Sequence, residues 1–76
     1  MEPGQAHYGV PDIVYDIVIT TANLLQGEEK LLAYAADADR IGDAECATAF
    51  RTVAEANRVG AQVLLRRLTS HLNAPS

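Results

Sequence analysis

Apolar residues recur at alternating spacings of three and four along most of the chain, and this period predicts long amphipathic helices. In the first half, one such seam runs through Ile13, Ile17, Thr20, Leu24, Gly27, Leu31, Tyr34, Ala38 and Ile41. A second seam lies one position over, through Val14, Val18, Thr21, Leu25, Glu28, Leu32, Ala35 and Asp39. Two adjacent seams indicate a helix that packs against two or more neighbours.

One strong helix break divides the chain. Gly42 suits the left-handed position that follows a helix, and Asp43 suits the N-cap of the next one. Apolar residues downstream again repeat at threes and fours, which predicts a second helix over about 44–72. Two helices of equal length joined by a tight turn favour an antiparallel hairpin.

The beginning of the first helix is marked by Pro11 followed by Asp12, a common helix start signal. We therefore expect a helical hairpin domain over residues 11–72. Residues 1–10 contain proline and glycine and are expected to form an irregular lead-in, and residues 73–76 a frayed end.

Distances from the turn predict which side chains meet across the hairpin. Tyr34 and Phe50 are each eight residues from Gly42, so the two aromatic rings should lie at one level. Asp16 and Arg66 are at similar distances from the turn and should bring opposite charges together at the open end.

A chain of 76 residues with a single cysteine cannot form an intramolecular disulfide and has a small core, so association is the expected source of extra stability. A lone hairpin leaves one apolar seam in water. We therefore expect an all-α fold in which two hairpins pair as a homodimer and build a ferritin-like four-helix bundle. The residues expected at that interface are Ile17, Thr21, Leu24, Leu25, Leu32, Phe50, Ala54, Ala61, Leu64 and Leu68.

Both seams are interrupted at mid-height by polar residues and glycine, with Glu28 and Asn57 near Gly27 and Gly60. Three interpretations of these polar residues are open. The polar residues form a layer that fixes register and partner number, or Glu28 turns toward solvent with Glu29. Alternatively, dimer symmetry builds a central pocket from these residues that binds a small ligand, or a metal through Glu28.

The run over residues 32–61 resembles the helical hairpin of rubrerythrin and related ferritin-like proteins. The residues that carry this resemblance are Tyr34, Ala35, Ala38, Gly42, Ala47, Phe50, Ala54 and Ala61. The resemblance implies a four-helix bundle in which each hairpin supplies one glutamate from its first helix and a Glu-x-x-His from its second.

The resemblance carries those metal-ligand positions onto Leu24, Asn57 and Gly60, none of which can bind iron as the family's residues do. Glu28 lies one helical turn from Leu24 and is the nearest substitute. The resemblance thus implies the fold without the di-iron site, and we expect no cofactor and no metal.

Charge narrows the range of partners. The chain carries a net charge of −4, which argues against nucleic acid or an anionic membrane as a partner. The acids concentrate in residues 1–45 and the arginines in residues 46–76, so the two halves should attract each other. The opening residues lack the basic and apolar runs of a secretory signal, so we expect a cytoplasmic protein.

No complete catalytic constellation can be assembled from the remaining polar residues. Cys46, at the start of the second helix, is expected to be a small half-buried thiol, and His7 and His71 are expected to be solvated or capping residues. Asp37, Asp39, Asp43 and Glu45 cluster near the turn and are expected to act as caps and solvated surface.

These observations favour a small non-catalytic, homodimeric protein-interaction or accessory module. It would bind another protein through its acidic faces or through its N-terminal segment, where Tyr8, Val10 and Ile13 are apolar. The alternative is a ferritin-like protein that binds a metal or small ligand at the Glu28 and Asn57 layer.

Overall fold

The computed structural model of the chain describes residues 6–7 and 9–73, in which two long helices form a hairpin. The elements are β1 (Ala6–His7), β2 (Val10–Pro11), α1 (Asp12–Arg40) and α2 (Ala44–Leu72). The all-α helical hairpin is thereby confirmed, with overall dimensions of 54 × 22 × 14 Å. Within the described residues, neither helix combines the length and the apolar character needed to cross a lipid bilayer.

The lead-in, which the sequence analysis expected to be irregular, contains a short pair of strands. β1 and β2 pair antiparallel, with Ala6 opposite Pro11 and His7 opposite Val10. Gly9 has a φ of +82°, in the left-handed region that favours glycine. β1 also contacts α1, so this segment folds back on the hairpin. Residues 1–5, Tyr8 and 74–76 lie outside the described residues.

The turn between the helices satisfies backbone groups on both sides. The N–H of Asp43 donates to the carbonyl of Ala38 at 2.9 Å, and the N–H of Gly42 donates to Asp39 at 3.0 Å. These two hydrogen bonds, together with the φ of +77° at Gly42, form a Schellman motif at the C-terminus of α1. The Asp43 side chain then accepts from the N–H of Cys46 at 2.9 Å and caps α2.

The contact between the helices draws on both apolar seams of the sequence. Buried or half-buried positions in α1 alternate by three and four through Ile17, Thr21, Leu24, Glu28, Leu31, Ala35 and Ala38. The matching positions in α2 are Ala47, Phe50, Ala54, Asn57, Ala61, Leu64 and Leu68. Alternate members of each seam therefore lie in the contact between the two helices, which we call the contact strip. The other members form two flanks, one on each side of the contact strip.

Small side chains let the two helices approach closely. Alanine occupies every seventh position of α2 at Ala47, Ala54 and Ala61, each at most 1% exposed. Opposite them, Ala35 and Ala38 are also buried in α1. Because these side chains are small, the buried core of one hairpin contains little apolar volume.

The expected dimer interface needs a correction at four of its ten positions. Ile17, Thr21, Ala54 and Ala61 are buried between the two helices of the same chain, so they cannot present a surface to a partner. The helices meet along the contact strip, which takes residues from both seams, and these four residues belong to it. Of the other six, Leu25 and Leu32 are exposed, and Leu24, Phe50, Leu64 and Leu68 are half-buried.

Candidate functional site

The amide of Asn57 crosses the hairpin at mid-height. Its Nδ2 donates a hydrogen bond to the carbonyl oxygen of Leu24 at 3.2 Å. Gly27 makes room for this bond, because a Cβ at position 27 would lie only 2.6 Å from Nδ2. Asn57 and Gly27 therefore fit one another within a single chain, and the asparagine ties α2 to the backbone of α1 at one register.

Glu28 lies beside an arginine of α2. Its Oε2 lies 3.7 Å from Nε of Arg58, and its side chain is only 17% exposed. Arg58 also pairs with Glu55, one turn earlier in α2. The glutamate thus has a cationic partner across the hairpin. Counting from the turn could not reveal this partner, because Asn57 and Arg58 lie at nearly the same level.

The three positions onto which the family resemblance carries metal ligands do come together. Gly60 lies against Leu24, since a Cβ at position 60 would lie 3.5 Å from Cδ1 of that leucine. Asn57 binds the Leu24 carbonyl from the same side. The described residues contain no group of three or more His, Cys, Asp or Glu side chains that could hold a metal ion.

A second feature lies at the closed end of the hairpin. We call it the turn-end groove: an open groove of about 450 Å³ lined by Tyr34, Asp37, Ala38, Arg40, Ile41, Asp43, Cys46 and Phe50. The rings of Tyr34 and Phe50 meet edge to face with centroids 5.8 Å apart, as their equal distance from Gly42 predicts. The helical periodicity does not predict this groove, and the apolar Ile41 directly before the turn glycine is the one sequence signal for it.

Charged side chains surround the closed end in pairs. Arg40 pairs with Asp37 on the rim of the groove, and Arg51 of α2 pairs with Asp39 of α1. At the open end, Asp16 and Arg66 form no ion pair, and the prediction that they meet is wrong. Both side chains are exposed because their positions point away from the contact between the helices.

The thiol in the groove has a pKa above its ordinary value. The carboxylate of Asp43 raises the pKa of Cys46, chiefly through its hydrogen bond and also through its charge. In return, the backbone N–H of Cys46 lowers the pKa of Asp43. Cys46 is exposed, contrary to the half-buried thiol expected, and its raised pKa opposes nucleophilic chemistry.

Of the two histidines, only His71 has a described side chain, and it takes no part in these clusters. His71 is exposed in the last turn of α2, where a basic side chain suits the negative end of the helix dipole. The backbone of His7 lies in β1, and its side chain falls outside the described residues.

Comparison of the chain with protein-family models, with characterised proteins and with solved structures finds no match. The resemblance to the rubrerythrin branch of ferritin-like proteins therefore stays a prediction.

Proposed function

We propose that the hairpin is a non-catalytic, cytoplasmic protein-interaction module that works as a homodimer, with two copies forming a four-helix bundle. One observation carries this proposal: among the described residues, no large side chain is fully buried. Apart from Ile17 and Thr21, every buried residue is an alanine. A single hairpin therefore leaves its bulky apolar residues to be covered by another helix pair.

The exposed surface supports the same proposal. A compact monomer of this mass is expected to expose about 4500 Å². The chain exposes 5500 Å². The excess is about 1000 Å², close to the roughly 800 Å² that each partner contributes to a standard stable interface. Side-by-side pairing of two hairpins that are each 54 Å long would remove about this much surface of each copy from water.

The turn-end groove is the place where the bundle would bind another protein. Its apolar lining includes Ile41, which is 80% exposed, and its acidic lining consists of Asp43 and of Asp37, which pairs with Arg40. A partner segment that presents an apolar side chain beside a lysine or arginine fits this combination of chemistry.

Glu28 and Asn57 do not support the ligand-binding alternative. Each already has a partner inside the hairpin, Arg58 for the carboxylate and the Leu24 carbonyl for the amide. A ligand would have to displace these contacts, which costs free energy at a partly buried site.

Light scattering on a sizing column tests the homodimer. At micromolar concentration we expect twice the 8.2 kDa mass of one chain. A particle of 8.2 kDa at every concentration up to that range would contradict the proposal.

Affinity capture tests the interaction module. We expect the wild-type chain to recover a specific partner that Ile41→Glu loses, because the substitution places a charge in the apolar lining of the groove. Val59→Glu is the matched control, since Val59 is 47% exposed on α2 away from the groove. Recovery of the same proteins by Ile41→Glu and the wild type would refute the role of the groove.

A further inference from the structure

We propose that the second copy docks on one particular flank of the hairpin, with the turns of both copies at the same end of the bundle. This inference rests on the proposed homodimer and adds its face and its orientation. We call this surface the leucine flank. It consists of every seventh residue on one side of each helix: Val18, Leu25, Leu32 and Asp39 in α1, and Arg51, Arg58, Leu65 and Leu72 in α2.

The two rows of the leucine flank lie along the same side of the hairpin. The ion pair between Arg51 and Asp39 joins the rows directly near the turn. Arg58 reaches Glu28 on the contact strip from the same side. The five aliphatic members are all 40–67% exposed, so nothing in one hairpin covers them.

The opposite flank offers less apolar surface at its middle. Its rows contain Ile13, Thr20, Gly27, Tyr34 and Ile41 in α1, and Cys46, Val53, Gly60 and Arg67 in α2. Both mid-height positions there are glycines, which contribute no side chain to an interface. On the leucine flank, Leu25 occupies the corresponding level and is 40% exposed. The leucine flank therefore has the more continuous apolar strip over its half nearer the open end, where neither a glycine nor a charged residue interrupts it.

The order of residues along the leucine flank decides the orientation. Toward the open end the flank is apolar, with Leu72, Val18, Leu65 and Leu25 in succession. Toward the turn it is mostly charged, with Arg58, Arg51 and Asp39 around Leu32. Pairing with the turns at opposite ends would press the apolar half of each copy against the charged half of the other. Burial of these ion pairs against apolar side chains is unfavourable, because the attraction within a pair does not repay the loss of its hydration.

Pairing with both turns at the same end places the apolar halves of the two leucine flanks together, and likewise the charged halves. A two-fold axis along the bundle places α1 of one copy beside α2 of the other, so that all neighbouring helices are antiparallel. Val18 of each copy then lies at the level of Leu65 of the other, and Leu25 and Leu32 lie at the levels of Arg58 and Arg51, whose aliphatic stems can cover them. Near the turn, the Arg51–Asp39 pair within each copy brings opposite charges to both sides of the interface.

The remaining acidic residues of the turn do not oppose this arrangement. Asp37 and Asp43 line the turn-end groove on the other side of the hairpin. Glu45 is exposed on α2 away from both rows. The turn-end groove also stays open in the dimer, so one assembly can both self-associate and hold a partner protein.

A pair of matched substitutions tests the face. Leu25→Glu places a charge in the apolar half of the leucine flank, and Val53→Glu places one on the opposite flank at a residue that is 49% exposed. We expect Leu25→Glu to weaken dimerisation about tenfold or more in sedimentation equilibrium, while Val53→Glu leaves it unchanged. If Val53→Glu weakens the dimer as much as Leu25→Glu does, or Leu25→Glu does not weaken it, the assignment of the face is overturned.

A distance measurement tests the orientation without relying on a variant that could fail to fold. The single, exposed Cys46 accepts one spin label per chain, and it lies near the turn on the flank away from the interface. Turns at the same end place the two labels about 20 Å apart, across two layers of helices. Turns at opposite ends would separate them by about 36 Å along the axis, because Cys46 is twelve residues from the middle of α2.

The result expected from pulsed electron paramagnetic resonance is a single distance near 20 Å. A single distance of 35 Å or more in a sample with the mass of a dimer would overturn the orientation and leave the homodimer standing. A labelled sample with the mass of one chain would overturn the homodimer itself, so the two failures are distinguishable.

Discussion

Alanine substitution of the two helical glycines should have opposite outcomes. Gly27 lies inside α1 and Gly60 inside α2, where glycine costs about 1 kcal/mol relative to alanine. At position 60, an added Cβ would meet Cδ1 of Leu24 at 3.5 Å, an ordinary contact. We therefore expect Gly60→Ala to raise the free energy of unfolding by about 1 kcal/mol, the full propensity gain.

Position 27 differs because an added Cβ would lie 2.6 Å from Nδ2 of Asn57. The amide must move away and lose its hydrogen bond to the Leu24 carbonyl. That bond contributes about 1 kcal/mol, and a part-buried amide left without a partner costs about 1–3 kcal/mol. The loss cancels or exceeds the propensity gain, so Gly27→Ala should leave stability unchanged or lower it by up to about 2 kcal/mol.

Urea unfolding followed by circular dichroism measures both variants, at one protein concentration because the stability of a dimer depends on concentration. For Gly60→Ala, the thermal midpoint should rise by about 4–8 °C. The control is Gly27→Ala in an Asn57→Ala background, where the clash is gone and the gain of about 1 kcal/mol should return. If Gly27→Ala stabilises the wild-type chain as much as Gly60→Ala does, the fit between Gly27 and Asn57 is refuted.

Three further predictions concern other single residues. Thr21 is buried and its Oγ1 has no hydrogen-bond partner, so Thr21→Val should raise the free energy of unfolding by about 1 kcal/mol in the same urea assay; a loss of stability would mean that the hydroxyl has a partner. Asp43→Ala removes the cap of α2 and should lower the thermal midpoint at neutral pH. Because folding lowers the pKa of Asp43, the contribution of the cap is present above the ordinary carboxyl pKa of about 4 and is lost as pH falls through the lowered value, so the variant and the wild type should converge in acid. Asp43→Asn keeps a capping side chain and removes the charge that raises the pKa of Cys46, so the thiol should react faster with iodoacetamide at mildly alkaline pH; an unchanged rate would refute the influence of Asp43 on Cys46.

The helices and the turn could be predicted from the sequence because their signals are local. The period of three and four over both halves, Gly42 with its positive φ and the capping Asp43 each act within a few residues. The edge-to-face contact between Tyr34 and Phe50 also follows from counting, since a tight turn sets the levels of a hairpin.

The composition of the contact strip was not predictable in the same way. Either of the two seams had the period of a core, and the structure uses alternate members of both. The choice depends on how α2 rotates against α1, and the alanines of α2 allow a close approach along a strip between the seams. This rotation is why Ile17 and Thr21 lie in one chain's core while Leu25 stays exposed.

The mid-height polar layer shows a second limit of sequence reasoning. Spacing brought Glu28 and Asn57 to one height, but height alone does not tell which side chains face each other. Glu28 lies beside Arg58, and Asn57 bonds to a backbone carbonyl that carries no signature in the sequence. Contacts between a side chain and a distant backbone atom are therefore visible only once the helices are placed.

Native mass spectrometry tests the central claim, that this hairpin is one half of a bundle closed by a second copy, most directly. At micromolar concentration we expect a species of about 16 kDa, twice the 8.2 kDa of one chain, with no additional bound mass. A spectrum that contains only the 8.2 kDa chain, or a species that needs a bound metal or small molecule to form, would contradict the account.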